Sequence, residues 1–255
     1  MTAQVVRFAD PMTEVRKGAR GPIGFFLHDL PHRLVNLFYR PRSVKRLVTI
    51  ALTAFFSLAV LAVYAEPFLL SLDTRVEATV IGARTQWWNQ AMVLITFLGT
   101  RYAIAGLGLA FSLWVWKSGR CRKTMWVLMI AIALNPVFEI FFKQLVGRVR
   151  PQASQLLPGN GPSFPSGHVL AAVGFYGLLA LIAWRGVPHY WWRRLAFFGL
   201  GAIALVVSAS RIYLDVHWTT DVLAGMLLGI TLVAASYQFL RQHSLQPAHA
   251  CCRDE

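Results

Sequence analysis

Charged residues, acidic residues and cysteines are all scarce in this sequence of 255 residues. Only 14% of the residues are charged, whereas a soluble globular protein carries about 25%. The chain has 11 acidic residues against 25 lysines and arginines. Its three cysteines, Cys121, Cys251 and Cys252, have neither the spacing of a metal site nor the number that a disulfide framework needs. These shortages place the chain outside the soluble and the disulfide-rich classes.

Apolar residues are abundant instead, at 56% of the chain with a mean hydropathy of +0.51. A helix that spans a bilayer needs about 20 mostly apolar residues. Six runs approach that length: 47–64, 102–116 with an extension back to 91, 125–146, 168–184, 195–207 and onwards, and 222–240. The sequence therefore predicts an all-α integral membrane protein, a bundle of six transmembrane helices.

The six runs divide the chain into three parts. Residues 1–46 form a basic N-terminal segment, residues 47–241 form the six-helix membrane domain, and residues 242–255 form a short tail. Within 25–40, aromatic and aliphatic residues are mixed with Arg33 and Arg40. That stretch is either an amphipathic helix on the inner leaflet or an ordinary basic tail.

The distribution of lysine and arginine predicts the orientation of the bundle. If both termini are cytoplasmic, the inner segments hold 18 of the 25 basic residues and the outer segments and helix ends hold seven. Basic residues concentrate in the cytoplasmic loops of membrane proteins, so we expect both termini in the cytoplasm. The basic residues form no aromatic-interleaved stripe on a soluble module, and a nucleic-acid partner is therefore not expected.

Ionisable residues collect where the last four predicted spans reach the outer face. Because successive spans alternate in direction, these positions all fall at one end of the bundle. Any one of them has an ordinary explanation, such as an arginine that extends to the interface. Their joint placement indicates a functional site, since ionisable groups near membrane spans are costly. The ionisable residues are Lys143, Arg148, Arg150, His168, Arg211, His217 and Asp221, and Ser166 and Gly167 lie beside them.

Their chemistry suits phosphoryl transfer. Lysine and arginine are donors only, and arginine can hold two phosphate oxygens at once. The start of a helix at Ser166 and Gly167 offers free backbone N–H groups to an anion. Asp221 follows His217 by four residues, so on one helix face its carboxylate could hold Nδ1–H and leave Nε2 free to attack. His168 could protonate a leaving oxygen.

Three motifs carry these residues. Lys143 with Arg150 and Pro151 reads K-x6-RP, residues 165–168 read PSGH, and residues 210–221 read SR-x5-H-x3-D. This pattern resembles the three-part signature of the type 2 phosphatidic acid phosphatase superfamily. The signature covers residues 143–221, and the six-span layout extends the likeness to most of the chain.

The resemblance implies a membrane phosphatase that hydrolyses a lipid phosphate ester or diphosphate through a phosphohistidine, without a metal or other cofactor. By matching position, His217 would be the nucleophile, Asp221 its partner and His168 the acid. The resemblance assigns the phosphate to Lys143, Arg150, Ser166, Gly167 and Arg211. Arg148 and Glu139 would support these groups, because Glu139 lies one helical turn before Lys143 and could pair with it. We expect Asp215 to be solvated or to cap its turn.

The resemblance also implies a bacterial inner-membrane location, with the site on the outer face, periplasmic or extracellular. The substrate would be undecaprenyl diphosphate, phosphatidylglycerophosphate or phosphatidic acid. A lipid A phosphatase or a lipid-to-lipid phosphotransferase would use the same residues. A channel or transporter is the non-enzyme alternative, and it predicts ionisable groups spread through the depth of the bundle. The sequence leaves the oligomeric state open.

Overall fold

The computed structural model describes residues 34–35, 37–38, 40–118 and 122–243. Within these residues the chain forms eight α-helices and no strands. The predicted segment before residue 34, the tail after residue 243 and all three cysteines lie outside the described residues. The helices are α1 Pro41–Tyr64, α2 Glu66–Gly82, α3 Gln86–Phe97, α4 Arg101–Lys117, α5 Arg122–Val146, α6 Gly167–Gly186, α7 Tyr190–Tyr213 and α8 Thr219–His243.

The predicted all-α membrane architecture is confirmed. Five helices, α1 and α5 to α8, are each long and apolar enough to cross a membrane. The pair α3 and α4 passes the same test together, with a bend of 50° between its halves. The chain therefore has five spans, or six if the bent pair crosses as one. The first helix begins at Pro41, six residues before the predicted span, and proline is well tolerated in a first helical turn.

In the sequence, the break between α3 and α4 is marked only by two polar residues, Thr100 and Arg101. Thr100 has an extended backbone, and its hydroxyl oxygen accepts the N–H of Ala103 at 3.2 Å. This is a helix N-cap, which starts a new helix inside an apolar stretch. The predicted second span is therefore two helices, and the first of them starts at Gln86 rather than at 91.

Helix α2 was missed by the sequence analysis. It carries Glu66, Asp73, Arg75 and Glu77 among its apolar residues, too many charges for a membrane span. The helix packs against α1, α7 and α8, and Asp73 is buried with 1% of its surface exposed. A buried carboxylate such as that of Asp73 needs a charged or hydrogen-bonding partner. Its partners lie at the end of the bundle that is described below.

Helix α6 forms the centre of the bundle, in contact with α4, α5, α7 and α8. Its buried side chains continue into a core with Leu128, Val207 and Tyr237 from three of these neighbours. Large apolar side chains on the surrounding helices, such as Ile50 and Leu205, are exposed as expected of lipid-facing positions. Val35 and Phe38, from the predicted inner-leaflet segment, also pack into this core beside Tyr237.

Two glycines let α8 approach α6 closely. A Cβ atom on Gly225 would lie 2.8 Å from the carbonyl oxygen of Ser166, and one on Gly229 would lie 2.8 Å from the Cβ of Val173. The two are four residues apart, the small-xxx-small pattern that allows close helix packing in membranes. This contact holds the N-terminal end of α6 next to that of α8.

We predict that Gly229→Ala lowers the midpoint of thermal unfolding in detergent by several degrees, because the new methyl group overpacks the α6–α8 contact. Gly201→Ala on α7 is the matched control, since a Cβ there meets nothing within 4 Å. The control should unfold at or slightly above the wild-type temperature, because alanine favours a helix over glycine. Equal midpoints for the two variants would contradict this account of the packing.

Candidate active site

The end of α5 turns Arg148 into the protein. Gly147 adopts φ +67°, a left-handed conformation that suits glycine, and its N–H bonds to the carbonyl of Lys143 at 3.0 Å. The Arg148 side chain is fully buried and makes two ion pairs, to Asp221 at 2.7 Å and to Asp73 at 2.8 Å. It also donates to the hydroxyl of Thr220 at 2.7 Å. Arg148 was expected to support a phosphate site, but its charge is directed at two carboxylates.

The N-terminus of α8 is fixed by carboxylates from two helices. Asp221 accepts the N–H of Trp218 at 3.0 Å, and Asp73 accepts the N–H of Thr220 at 3.0 Å. Helix α8 consequently begins at Thr219, so His217 lies in the preceding turn and not on the helix. The expectation that His217 and Asp221 share a helix face was wrong. The Asp221 carboxylate reaches back to cap the N-terminus of α8 at Trp218, so the helix starts after His217.

His217 and Asp221 nevertheless face each other. The Nδ1 of His217 lies 3.7 Å from Oδ2 of Asp221, an ion-pair distance longer than a hydrogen bond. On the other side of the ring, Nε2 lies 3.2 Å from Nη1 of Arg150. An arginine can only donate, so Nε2 accepts and the ring proton resides on Nδ1, facing Asp221. This is the tautomer that a nucleophilic Nε2 requires.

The surroundings keep the imidazole of His217 neutral. Burial, followed by the positive charges of Arg211, Arg150 and Lys143, holds the pKa of His217 well below its ordinary value of 6.5. A neutral ring retains the lone pair with which a histidine attacks. The three cations around it are among those that the sequence analysis assigned to the phosphate.

The N-terminus of α6 adjoins that of α8. The N–H of Ser166 donates to the carbonyl of Asp221 at 3.1 Å, and α6 begins at Gly167 as predicted. The Ser166 side chain is fully buried, makes no capping bond, and its hydroxyl oxygen has no hydrogen-bond partner among the described residues. A buried hydroxyl without a partner is unusual in a folded protein and marks a position where a ligand could bind.

Glu139 lies against the same helix start. A Cβ on Gly167 would overlap the carboxylate of Glu139, so any larger residue there would displace the Glu139 side chain. Glu139 pairs with Lys143 at 2.7 Å, the contact predicted from their spacing, and both side chains are partly exposed. The lysine ammonium is thereby held close to the N-terminus of α6.

Arg211 and His168 complete the group of predicted residues. Arg211 is buried and donates from Nη1 to the hydroxyl of Thr96 on α3 at 2.7 Å, while its Nε has no partner among the described residues. His168 lies close enough to Arg211 and Lys143 for their positive charges to act on it. Every predicted site residue therefore lies at the same end of the bundle, where α5 ends and α6 and α8 begin.

The loop between α5 and α6 is tied down over this end. Arg150 donates to the carbonyls of Gly161 at 2.9 Å and Asn160 at 3.1 Å, and also to that of Val216 next to His217 at 2.6 Å. Ser154 donates its N–H to Asp215 at 2.8 Å. Asp215 is buried and has φ 57°, so the expectation of a solvated residue was wrong.

A second carboxyl group accompanies Asp215. Burial, followed by a hydrogen bond to Asp215 and the charge of Asp215, raises the pKa of Glu77 on α2 from 4.5 to about 7. Arg84 bonds to Ser154 and to the carbonyl of Tyr213 close by. These groups lie behind the loop that carries His217 and contribute to its support.

Asp73, Thr220 and Thr96 are the functional candidates that sequence reasoning missed. Each lies outside the matching positions of the three motifs, and the partner of each is remote in sequence. The one available signal was the presence of Asp73 in a chain with only 11 acidic residues. Within the described residues no group of three or more His, Cys, Asp or Glu side chains is arranged to hold a metal ion.

Comparisons with known proteins identify the family of this chain. The family model described as the PAP2 superfamily matches residues 124–244, which include all the residues of the predicted site. Phosphatidylglycerophosphatase B of Bacillus subtilis is 28% identical over 193 residues, which cover 72% of this chain and 90% of that protein. An undecaprenyl-diphosphatase of Sulfolobus acidocaldarius is 31% identical over 160 residues, covering 59% of this chain and 69% of the relative.

A solved structure shares the fold over most of its length. The transmembrane PAP2-type phosphatidylglycerolphosphate phosphatase of Bacillus subtilis superposes with a TM-score of 0.71 at 25% identity. The superposition covers 78% of this chain and 98% of that protein. Motifs, family model, relatives and fold lead to the same assignment. The chain belongs to the PAP2 superfamily of membrane phosphatases.

Proposed function

We propose that the protein removes a phosphate from a membrane lipid through a phosphohistidine on His217, without a metal. The observation that carries the proposal is the environment of Nε2. This atom is an unprotonated nucleophile beside Arg150, in the same cluster as Lys143 and Arg211. The hydroxyl of Ser166 and the Nε of Arg211 add buried donors that have no partner among the described residues.

In the first step, Nε2 of His217 attacks phosphorus and the bond from phosphorus to the lipid oxygen breaks. The cations and the N-terminus of α6 hold the phosphoryl oxygens as charge redistributes on them. As the N–P bond forms, the ring of His217 becomes positively charged, and the carboxylate of Asp221 stabilises it. Protonated His168 gives its proton to the departing lipid oxygen.

In the second step, water attacks the phosphohistidine. His168, now neutral, accepts a proton from the water as the new oxygen–phosphorus bond forms and the N–P bond breaks. Inorganic phosphate leaves, His217 returns to its neutral tautomer, and His168 is charged again. The same residue thus acts as acid and then as base.

The substrate class follows from the leaving-group side of the site. Gly99 packs against His168, since a Cβ there would lie 3.3 Å from the His168 carbonyl oxygen. Arg101 begins α4 two residues later, is exposed, and its charge acts on His168. A lipid diphosphate or a phosphatidylglycerophosphate leaves a group that is still anionic, whereas phosphatidic acid leaves a neutral diacylglycerol. Arg101 favours the first two, which matches the names of the relatives.

We infer the orientation of the protein from its distribution of basic residues. Basic residues are concentrated at the end of the bundle opposite the site. The site therefore faces the outside of the bacterial inner membrane, with both termini in the cytoplasm.

We predict that His217→Ala abolishes phosphate release from lipid diphosphate and phosphatidylglycerophosphate, because no other group can form the intermediate. Purified wild-type protein given ³²P-labelled substrate should yield an acid-labile, alkali-stable phosphoprotein, and the variant should not. EDTA should leave the wild-type rate unchanged. His189→Ala is the matched control, an exposed histidine at the opposite end of α7.

Full phosphate release by His217→Ala, or a rate that depends on added divalent metal, would contradict the mechanism. If phosphate leaves only when a second lipid is supplied as acceptor, the protein is a phosphotransferase that uses the same site.

Arg101→Gln should lower kcat/KM for a lipid diphosphate and for phosphatidylglycerophosphate by up to about fivefold, the effect of losing one solvent-exposed charge interaction of about 1 kcal/mol. For phosphatidic acid the change should stay below about twofold. Arg75→Gln, at an exposed arginine on α2, controls for the loss of surface charge. Equal losses on all three lipids would show that Arg101 does not select the leaving group.

The native cysteines test the orientation. A membrane-impermeant maleimide should not label Cys121, Cys251 or Cys252 in intact spheroplasts, but should label them after permeabilisation. A cysteine introduced as Ala153→Cys, in the exposed loop over the site, should be labelled in intact spheroplasts. The reverse pattern would place the site on the cytoplasmic side.

A further inference from the structure

Asp73 of α2 is a buried carboxylate that contacts two other segments of the protein. Its carboxylate is 1% exposed and bonds to Arg148 at 2.8 Å. The same carboxylate accepts the N–H of Thr220 at 3.0 Å and the hydroxyl of Thr220 at 2.6 Å. One side chain of α2 therefore holds both the first turn of α8 and the arginine that follows α5.

Arg148 is shared between two carboxylates. Its Nη1 bonds to Asp221 and its Nη2 to Asp73, with both pairs out of contact with solvent. The three side chains together carry one net negative charge. If Asp221 were the sole partner of Arg148, the pair would be neutral, and little negative charge would remain for the neighbouring imidazole.

The charge that remains on Asp221 matters when His217 is phosphorylated. The ring then becomes positive, and the nearest carboxylate oxygen is that of Asp221, 3.7 Å from Nδ1. A buried opposite charge at this distance stabilises the charged ring strongly. A carboxylate already neutralised by a guanidinium would do so less well.

We propose that Asp73 is a positioning residue of the active site. Because Asp73 shares Arg148 with Asp221, the negative charge of Asp221 is not fully neutralised by the arginine, and its carboxylate stays directed at His217. The inference rests on the proposed roles of His217 and Asp221. Asp73 touches neither substrate nor the attacking nitrogen, and it acts through Arg148 and through the first turn of α8.

The test is Asp73→Asn, which keeps the size of the side chain and removes its charge. We expect kcat to fall about 10- to 100-fold, the range seen when a group that orients a catalytic residue is removed. KM should change less than about threefold, because Lys143, Ser166 and Arg211 are unaltered. Glu66→Gln is the matched control, the same chemical change on the same helix seven residues away, and it should behave as wild type.

A second substitution separates charge from simple structural support. Adding Arg148→Gln to Asp73→Asn removes the guanidinium as well and restores one net negative charge to the cluster. If Asp73 acts by balancing Arg148, the double variant should recover several-fold in kcat over Asp73→Asn alone. If Asp73 only holds the fold together, removing Arg148 breaks further contacts and kcat should fall again.

All rates are normalised to the monodisperse protein recovered by size-exclusion chromatography. Should Asp73→Asn not accumulate, Asp73→Ser carries the same test with room for water beside Arg148. An unchanged kcat, an effect confined to KM, or a further loss in the double variant would each overturn the proposal. Retention of turnover by His217→Ala would overturn the proposed function and this inference together. Asp73 variants that match Glu66→Gln would overturn the inference alone.

Discussion

The buried guanidinium of Arg148 is the interaction on which the site depends. It joins α2, the end of α5 and the start of α8 through Asp73, Asp221 and Thr220. A buried charge is tolerated only when it is paired and hydrogen-bonded, and removal of one partner leaves an uncompensated ion. The cluster therefore permits few arrangements of these three segments, and the turn that carries His217 is fixed between them.

The membrane explains why the chemistry lies at the helix ends. Backbone groups must be satisfied inside the apolar layer, so the spans are regular helices and the polar groups concentrate where they stop. Gly225 and Gly229 then bring α8 close to α6, and this contact places Ser166 against the carbonyl of Asp221. A packing contact between apolar helix faces thus aligns the start of α6, proposed to bind the phosphate, with the proposed nucleophile.

Local pattern predicted the helices well and their interruptions poorly. Each of the six apolar runs is helical, because a helix satisfies all the backbone hydrogen bonds of a long apolar segment inside the lipid. Thr100 breaks the second run by capping a new helix. A single threonine in an apolar stretch is not enough to predict a helix cap from sequence. Helix α2 was missed because its charges removed the signal of a span. His217 was expected on a helix, but the cap by Asp221 begins the helix two residues later.

The sequence by itself determined the membrane class, the approximate positions of the spans and the three motifs that contain the cations, the two histidines and Asp221. These properties depend on composition, run length and short spacings, all of which are local. Only the tertiary structure decided which polar groups pair over long sequence distances, since Asp73 is 75 residues from Arg148 and Thr96 is 115 residues from Arg211. Such pairs form because α2 and α3 pack where a buried charge would otherwise have no partner, and no local pattern encodes that.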